Sequence, residues 1–185
     1  MGDQVNGLLS PFLRNRRIAA ALPYVKGRVL DFGCGVGRFS ELVPAEQYTG
    51  VDLDAESVAQ ARKDHPGVSF FTTDEFADNN GRFDTIVSLA VIEHAPDPKG
   101  FLMELAERLE KGGRIVLTTP HPMSDIIHRA GSRVRLFSRE ADDEHESLLD
   151  RKKMEMTAAE AGMKITARKR FLFGINQLFV LERIQ

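Results

Sequence analysis

The sequence predicts an α/β fold: a doubly wound sheet of about seven strands, mostly parallel, with an antiparallel hairpin at its C-terminal edge. Three observations predict it. Short apolar runs alternate with amphipathic helical patterns along most of the chain, as β–α–β units require. The run Val29-Leu30-Asp31-Phe32 enters the bend Gly33-Cys34-Gly35-Val36-Gly37, and Phe39, Leu42 and Val43 then open a helical pattern. The last two strand-like stretches are joined only by Gly174-Ile175-Asn176, a link that suits a hairpin and not a parallel crossover.

Composition sets the outer bounds. A chain of 185 residues suits one domain, taken here as 1–185, with 1–24 as an N-terminal cap helix and 120–146 as a variable segment on the substrate side. Hydrophobic residues make up 42% and charged residues 28%, enough for a packed core and ordinary for a globular chain. A net charge of -2 supplies no overall field for nucleic acid, so none is expected as a partner. The single cysteine, Cys34, excludes an internal disulfide and fits a reducing cytoplasm. No apolar run is long enough for a membrane span, and the first residues lack the pattern of a secretory leader. A cytoplasmic location follows as the expectation; the oligomeric state is not legible.

The elements follow in order. Leu9, Phe12, Leu13, Arg16, Arg17, Ala20 and Ala21 mark a helix over 8–24, with Pro11 in a first turn and Pro23 ending it. That helix either packs on the sheet or caps the ligand mouth. Residues 28–32 and 48–52 are the first two strands, each carrying an acid at its end: Asp31 and Asp52. Asp54 caps the helix of Val58, Ala61 and Arg62. Residues 68–72 form a third strand, followed by Thr73-Asp74-Glu75-Phe76, and Asp78 to Gly81 is a turn. The fourth strand starts at Phe83 and leaves through Glu93-His94; its continuous apolar character fits a sheet covered on both faces. Lys99 to Lys111 reads as an amphipathic helix stopped by Gly112-Gly113, and 114–119 as the fifth strand. After Thr119 the periodicity fails until a helix over 147–161, ended by Gly162. Strands at 164–173 and 177–184 close the chain.

The glycine bend carries the chemistry. Glycines permit positive φ and let a ligand approach bare backbone. A dinucleotide fold places a third glycine where Arg38 or Ser40 stands here. Asp31 ahead of the bend would repel a pyrophosphate and suit a cation. S-adenosyl-L-methionine (SAM) carries a sulfonium and an ammonium, so it matches in sign. Asp52 lies about 20 residues past the first glycine, where nucleotide folds place the carboxylate that accepts from ribose hydroxyls, and Leu53 follows as a surface for a base.

The pattern D-x-G-x-G-x-G at 31–37, with Phe83-Asp84-Thr85-Ile86-Val87-Ser88, Glu93-His94 and Pro96-Asp97-Pro98 downstream, resembles the class I SAM-dependent methyltransferases, and within them the ubiquinone-pathway-like group. Leu109 to Leu117 is similar to that family's L-x-P-G-G-x-L-x-L segment, with Lys111 at the proline. The resemblance covers roughly 25–185 and implies a Rossmann-like fold. It implies that Gly33, Cys34, Gly35 and Gly37 pass under the methionine part of SAM and that Asp31 supports its amino end. Asp52 and Leu53 take the ribose and base side. Asp74, with Glu75 as its rival, takes the adenine amino group, and Leu89 and Ala90 approach the sulfur. Some relatives bind a divalent cation through E-x-x-E-H. Here Ala90-Val91-Ile92-Glu93-His94 lacks the first acid, so no metal is expected.

The candidate catalytic residues are His121, His94 and His145. A histidine at the C-terminal end of a strand faces the ligand crevice and titrates near neutrality, as a general base should. Glu93 and His94 otherwise brace their loop. Arg129, Arg133, Arg135 and Arg139 either clamp an anionic acceptor or pair with the acids at 140–146. The expected reaction is methyl transfer to a small-molecule acceptor, with oxygen favoured and S-adenosylhomocysteine as product. An RNA methyltransferase and a non-catalytic SAM-binding module stand as rivals.

Overall fold

The computed structural model describes residues 3–121 and 150–184. Its centre is a seven-stranded sheet: β1 (Val29–Phe32), β2 (Tyr48–Asp52), β3 (Ser69–Thr72), β4 (Phe83–Leu89), β5 (Leu109–Pro120), β6 (Met163–Phe171) and β7 (Asn176–Arg183). The order is β3-β2-β1-β4-β5-β7-β6. β7 runs antiparallel to both its neighbours, and the other pairings are parallel. The doubly wound sheet and its antiparallel C-terminal strand are as the sequence predicts.

Alternation along each strand splits the core in two. Leu30, Ile86, Ile115, Leu117 and Phe179 face α4 (Pro98–Glu107) and α5 (Arg151–Glu160), meeting Leu102, Leu105, Met154 and Ala158. Val29, Val87, Val116, Leu178 and Val180 face α1 (Asp3–Ala21) and α2 (Ala55–Asp64), meeting Ile18, Ala21, Val58 and Ala61. At the N-terminal edge of the sheet the Asp84 carboxylate accepts from the Arg28 N–H at 2.8 Å, which ties β4 to β1.

Three local expectations are corrected. Phe39 opens no α-helix: 38–42 is a 3-10 turn, and Pro44 leaves too little chain for more. Helix α4 ends at Glu107, and Gly112-Gly113 lie within β5 instead of stopping the helix. Leu109 already pairs with Phe83, and Arg114 pairs with Thr85, so 110–113 loop out against Asp84 alone. A Cβ at Gly113 would crowd the carbonyls of Glu110, Phe83 and Asp84, so the close strand passage needs glycine there. Pro11 lies inside α1 and not in its first turn.

Candidate active site

The C-terminal ends of β1, β2, β3, β4 and β5 gather most of the predicted residues along one edge. Asp31 is 2% exposed and lies on the α1/α2 side of β1. Gly50 stands opposite it on β2, and Tyr48, two residues back on the same face, reaches diagonally across. The Tyr48 hydroxyl donates to Asp31 Oδ2 at 2.7 Å. Burial raises the Asp31 carboxyl to about 7; the Tyr48 hydrogen bond opposes that rise and the Asp52 charge adds to it. Two acids therefore stand close together, and among the described residues the groups acting on Asp31 include no cation.

The glycine bend is fixed by β2. Gly33 and Cys34 donate their N–H groups to the Val51 carbonyl at 2.8 and 3.0 Å. Gly35 donates to Asp52 Oδ2 at 2.6 Å, and Asp52 Oδ1 accepts from the Asp54 N–H at 3.0 Å. These three donors are thus spent on the protein, and the bend is no backbone cradle for an anion. All three glycines have positive φ, but their surroundings differ. A Cβ at Gly33 would overlap Val91, and one at Gly37 would strike the Phe70 ring, whereas one at Gly35 meets nothing within 4 Å. The open ground lies at Gly35. Cys34 turns its sulfur toward Gly50, and burial, with Asp31 and Asp52 nearby, pushes its thiol up and away from reactivity.

Beyond Asp52, Leu53 is 82% exposed, an apolar side chain left bare beside a polar pocket. The rivals at the β3 exit are separated. Glu75 accepts from the Thr72 N–H at 2.8 Å and from Arg62 Nη2 at 2.6 Å, closing a capping box on the short helix α3 (Thr73–Phe76). Asp74, beside it, is exposed.

At the β4 exit Leu89 is half-buried, and Ala90 adopts a left-handed φ of 60°, its N–H bonded to the Thr118 carbonyl at 2.9 Å. Such a backbone costs a non-glycine residue about 1–3 kcal/mol and tends to cluster at working sites. The next turn, Ile92–His94, carries Glu93. Burial raises its carboxyl, while the Arg17 and His94 charges and the Thr119 hydroxyl hold it down. Arg17 reaches in from α1 and donates Nε to Asn176 Oδ1 at 3.0 Å. Burial lowers the Arg17 guanidinium and the Glu93 charge resists. The helix over the sheet thus contributes to the mouth. The sequence reading missed Tyr48, Arg17 and Asn176 as site residues: each contact joins distant segments, and no motif marks them.

His94 is exposed. His121 is buried at the end of β5, and its Nε2 accepts from Arg170 Nη2 at 2.5 Å. Burial and the Arg170 and Arg168 charges lower its pKa, against Asp150, so the ring is neutral with that nitrogen's lone pair engaged. Its neighbours Arg168 and Arg170 lie on the α4/α5 side of the sheet, the side opposite Asp31. His145, with Arg129, Arg133, Arg135 and Arg139, lies outside the described residues. Among the described residues no group of three or more His, Cys, Asp or Glu is placed to hold a metal ion, and no helix is long and apolar enough to cross a membrane.

Known proteins are similar to this chain. A family model described as a methyltransferase domain matches residues 6–168. A ubiquinone biosynthesis O-methyltransferase of Xanthomonas euvesicatoria pv. vesicatoria (strain 85-10) is 34% identical over 116 residues, 58% of this chain and 48% of that protein. The chain therefore spans about half the length of the curated relatives it matches. Among solved structures, the complex of the Haloferax volcanii Trm112 methyltransferase activator with a methyltransferase aligns at a TM-score of 0.72 and 15% identity, covering 99% of this chain and 95% of that one. Magnesium protoporphyrin IX methyltransferase of Synechocystis PCC 6803, with bound S-adenosylhomocysteine, aligns at 0.64 and 19%, covering 99% and 83%. These two likenesses concern the fold; the family rests on the match over 6–168. The chain belongs to the class I SAM-dependent methyltransferases.

Proposed function

We propose that this chain transfers a methyl group from SAM to an oxygen of a small-molecule acceptor and leaves S-adenosylhomocysteine. The observation that carries the reading is the acidic pocket: Asp31, oriented by Tyr48, next to Asp52 and the open ground at Gly35. The pocket fits SAM on its own terms. Two neighbouring acids favour a cation, Gly35 leaves space against bare backbone, and Leu53 offers an apolar surface to a base. SAM, when bound, supplies an activated methyl group and a thioether leaving group.

The residues then divide the work. Asp31 holds the ammonium end, and Tyr48 keeps its carboxylate aimed. Asp52 retains lone pairs for ribose hydroxyls beyond the two N–H groups it already accepts. Asp74, exposed next to the committed Glu75, is the better partner for the adenine amino group. Leu89 and the left-handed Ala90 shape the wall beside the reacting centre. Arg17, Asn176 and Glu93 form the polar rim on the acceptor side. Glu93, its carboxyl raised by burial, is the proton acceptor we favour there. His121 would first have to release Arg170. The choice of oxygen draws support from the relatives named ubiquinone biosynthesis O-methyltransferase.

Calorimetry on wild type and Asp52→Ala tests the cofactor half. Wild type should bind both SAM and S-adenosylhomocysteine, and the variant should bind each at least tenfold more weakly. Unchanged affinity in the variant, or a preference for NAD, ends the reading. Labelled SAM with a panel of hydroxylated metabolites tests the acceptor half by product formation.

A further inference from the structure

We infer that the α5/β6 face holds a second binding site, for an oxyanion such as the carboxylate or phosphate of a small molecule, built on Arg168 and Arg170. The inference starts from a register shift. Ile165 pairs with Leu181, but Ala167 pairs with Val180, so Thr166 is an extra residue in β6. A bulge of this kind reverses which side chains point to which face. Without it, Ala167 and Lys169 would continue the face of Ile165. With it, Arg168 opposite Phe179 and Arg170 opposite Gln177 take that face, and Ala167 packs on the other core. Two arginines are thereby aimed at α5 from alternate positions of one strand.

They border a cleft of about 430 Å³ lined by Arg151, Glu155, Ile165, Thr166, Ala167, Arg168 and Arg170. Among the described residues that line it, three guanidinium groups stand with one carboxylate, and Glu155 already pairs with Arg151 at 2.6 Å. Arg168 lies 5.7 Å from the Phe179 ring centre, and its Nη2 donates to Gln177 Oε1 at 3.4 Å. Its Nε is sealed from solvent and has no hydrogen-bond acceptor among the described residues. That nitrogen is out of a ligand's reach, so an oxyanion in the cleft is met by the Nη groups of Arg168 and Arg170. The two Nη groups of a guanidinium form a fork that fits two oxygens of a carboxylate or phosphate. Arg170 stands two residues on, held at His121, and adds a second positive charge. A concave site with few arginines suits a small anion better than an RNA strand, which needs an extended basic stripe. The site stands apart from the acidic pocket and does not rest on the methyl-transfer reading.

The test is an inorganic phosphate titration of the ¹⁵N-labelled full chain at constant ionic strength, following arginine Nε–H resonances. Arg168→Lys assigns the Arg168 signal by its loss. The expected result is a saturable shift of that signal in wild type. Phosphate affinity should fall about tenfold in Arg170→Gln, with SAM affinity unchanged as the check on folding. No saturable shift in wild type, or equal phosphate affinity in Arg170→Gln, overturns the site. If Arg168→Lys does not fold, the wild-type and Arg170→Gln titrations alone decide. A shift produced by single-stranded RNA with a steep salt dependence, and not by phosphate, also overturns it. Kinetics with an acceptor from the metabolite panel then separate two sources. Phosphate that raises only the acceptor KM marks the acceptor's own acid group, and phosphate that alters kcat marks a separate anionic ligand.

Discussion

Tyr48 and Asp31 are joined by a buried hydrogen bond of 2.7 Å from hydroxyl to carboxylate, between the first residue of β2 and the third of β1. The bond aims the carboxylate and favours its charged form. Tyr48→Phe removes it while keeping the ring against Phe70. SAM affinity at neutral pH should fall about tenfold, the scale of one hydrogen bond to a charged group. The pH at which affinity is half-restored should also move upward, because Asp31 loses the interaction that held its pKa down. Calorimetry across pH reads both; no change in either removes Tyr48 from the site.

The same carboxyl predicts a pH dependence. Without ligand, Asp31 takes up a proton below about 7. A bound cation favours the carboxylate, so binding below that pH releases a proton. SAM affinity should rise with pH by up to about tenfold per unit and level off above about 7. Stability runs the other way for the unliganded chain. The folded pKa lies above its usual 3.8, so the folded state holds the extra proton between those values. Asp31 therefore lowers stability as pH rises through that window, and SAM should offset the loss. Proton release measured in buffers of different ionisation enthalpy checks the first claim, and thermal melts with and without SAM check the second.

Gly33 and Gly35 should separate folding from binding. Gly33→Ala brings a methyl group into Val91 at a left-handed backbone, and a loss of about 2–4 kcal/mol is expected. Gly35→Ala meets no protein atom, so only the backbone penalty of about 1–2 kcal/mol applies. Its methyl group occupies the ground assigned to SAM, and affinity should drop at least tenfold in a chain that still melts cooperatively. Denaturant melts and calorimetry on the two variants would expose a wrong assignment if Gly35→Ala bound SAM like wild type.

Glu93 and Arg17 should act on the acceptor and leave the cofactor alone. Glu93→Gln keeps the size of the side chain and removes the base, so kcat should fall about a hundredfold with SAM affinity within twofold. Arg17→Gln removes the Arg17 charge beside Glu93 and breaks the bond to Asn176, which should raise the acceptor KM. Equal kcat in Glu93→Gln would return Glu93 to bracing the loop.

The legible parts of the molecule were those written in short-range pattern. Apolar runs, acids at strand ends and the glycine bend lie within a few residues of one another, and each strand was found where its run stood. The unread parts depend on pairing between distant segments. Gly112-Gly113 look like a helix stop until Leu109 pairs with Phe83. Pro44 cuts short a helix that Phe39 and Leu42 announce. Arg17 meets Asn176 across 159 residues of sequence, beyond any local window. Thr166 changes the facing of every later residue in β6, and no residue type signals it.

The two outermost strands carry a further consequence. An unpaired sheet margin is a template on which a second chain can lay itself. Here β3 offers only four residues. At the opposite margin β6 is kinked at Thr166 and studded with Lys164, Arg168, Lys169 and Arg170, so a copy arriving there would meet its own charges. Neither border invites the chain to polymerise through its backbone.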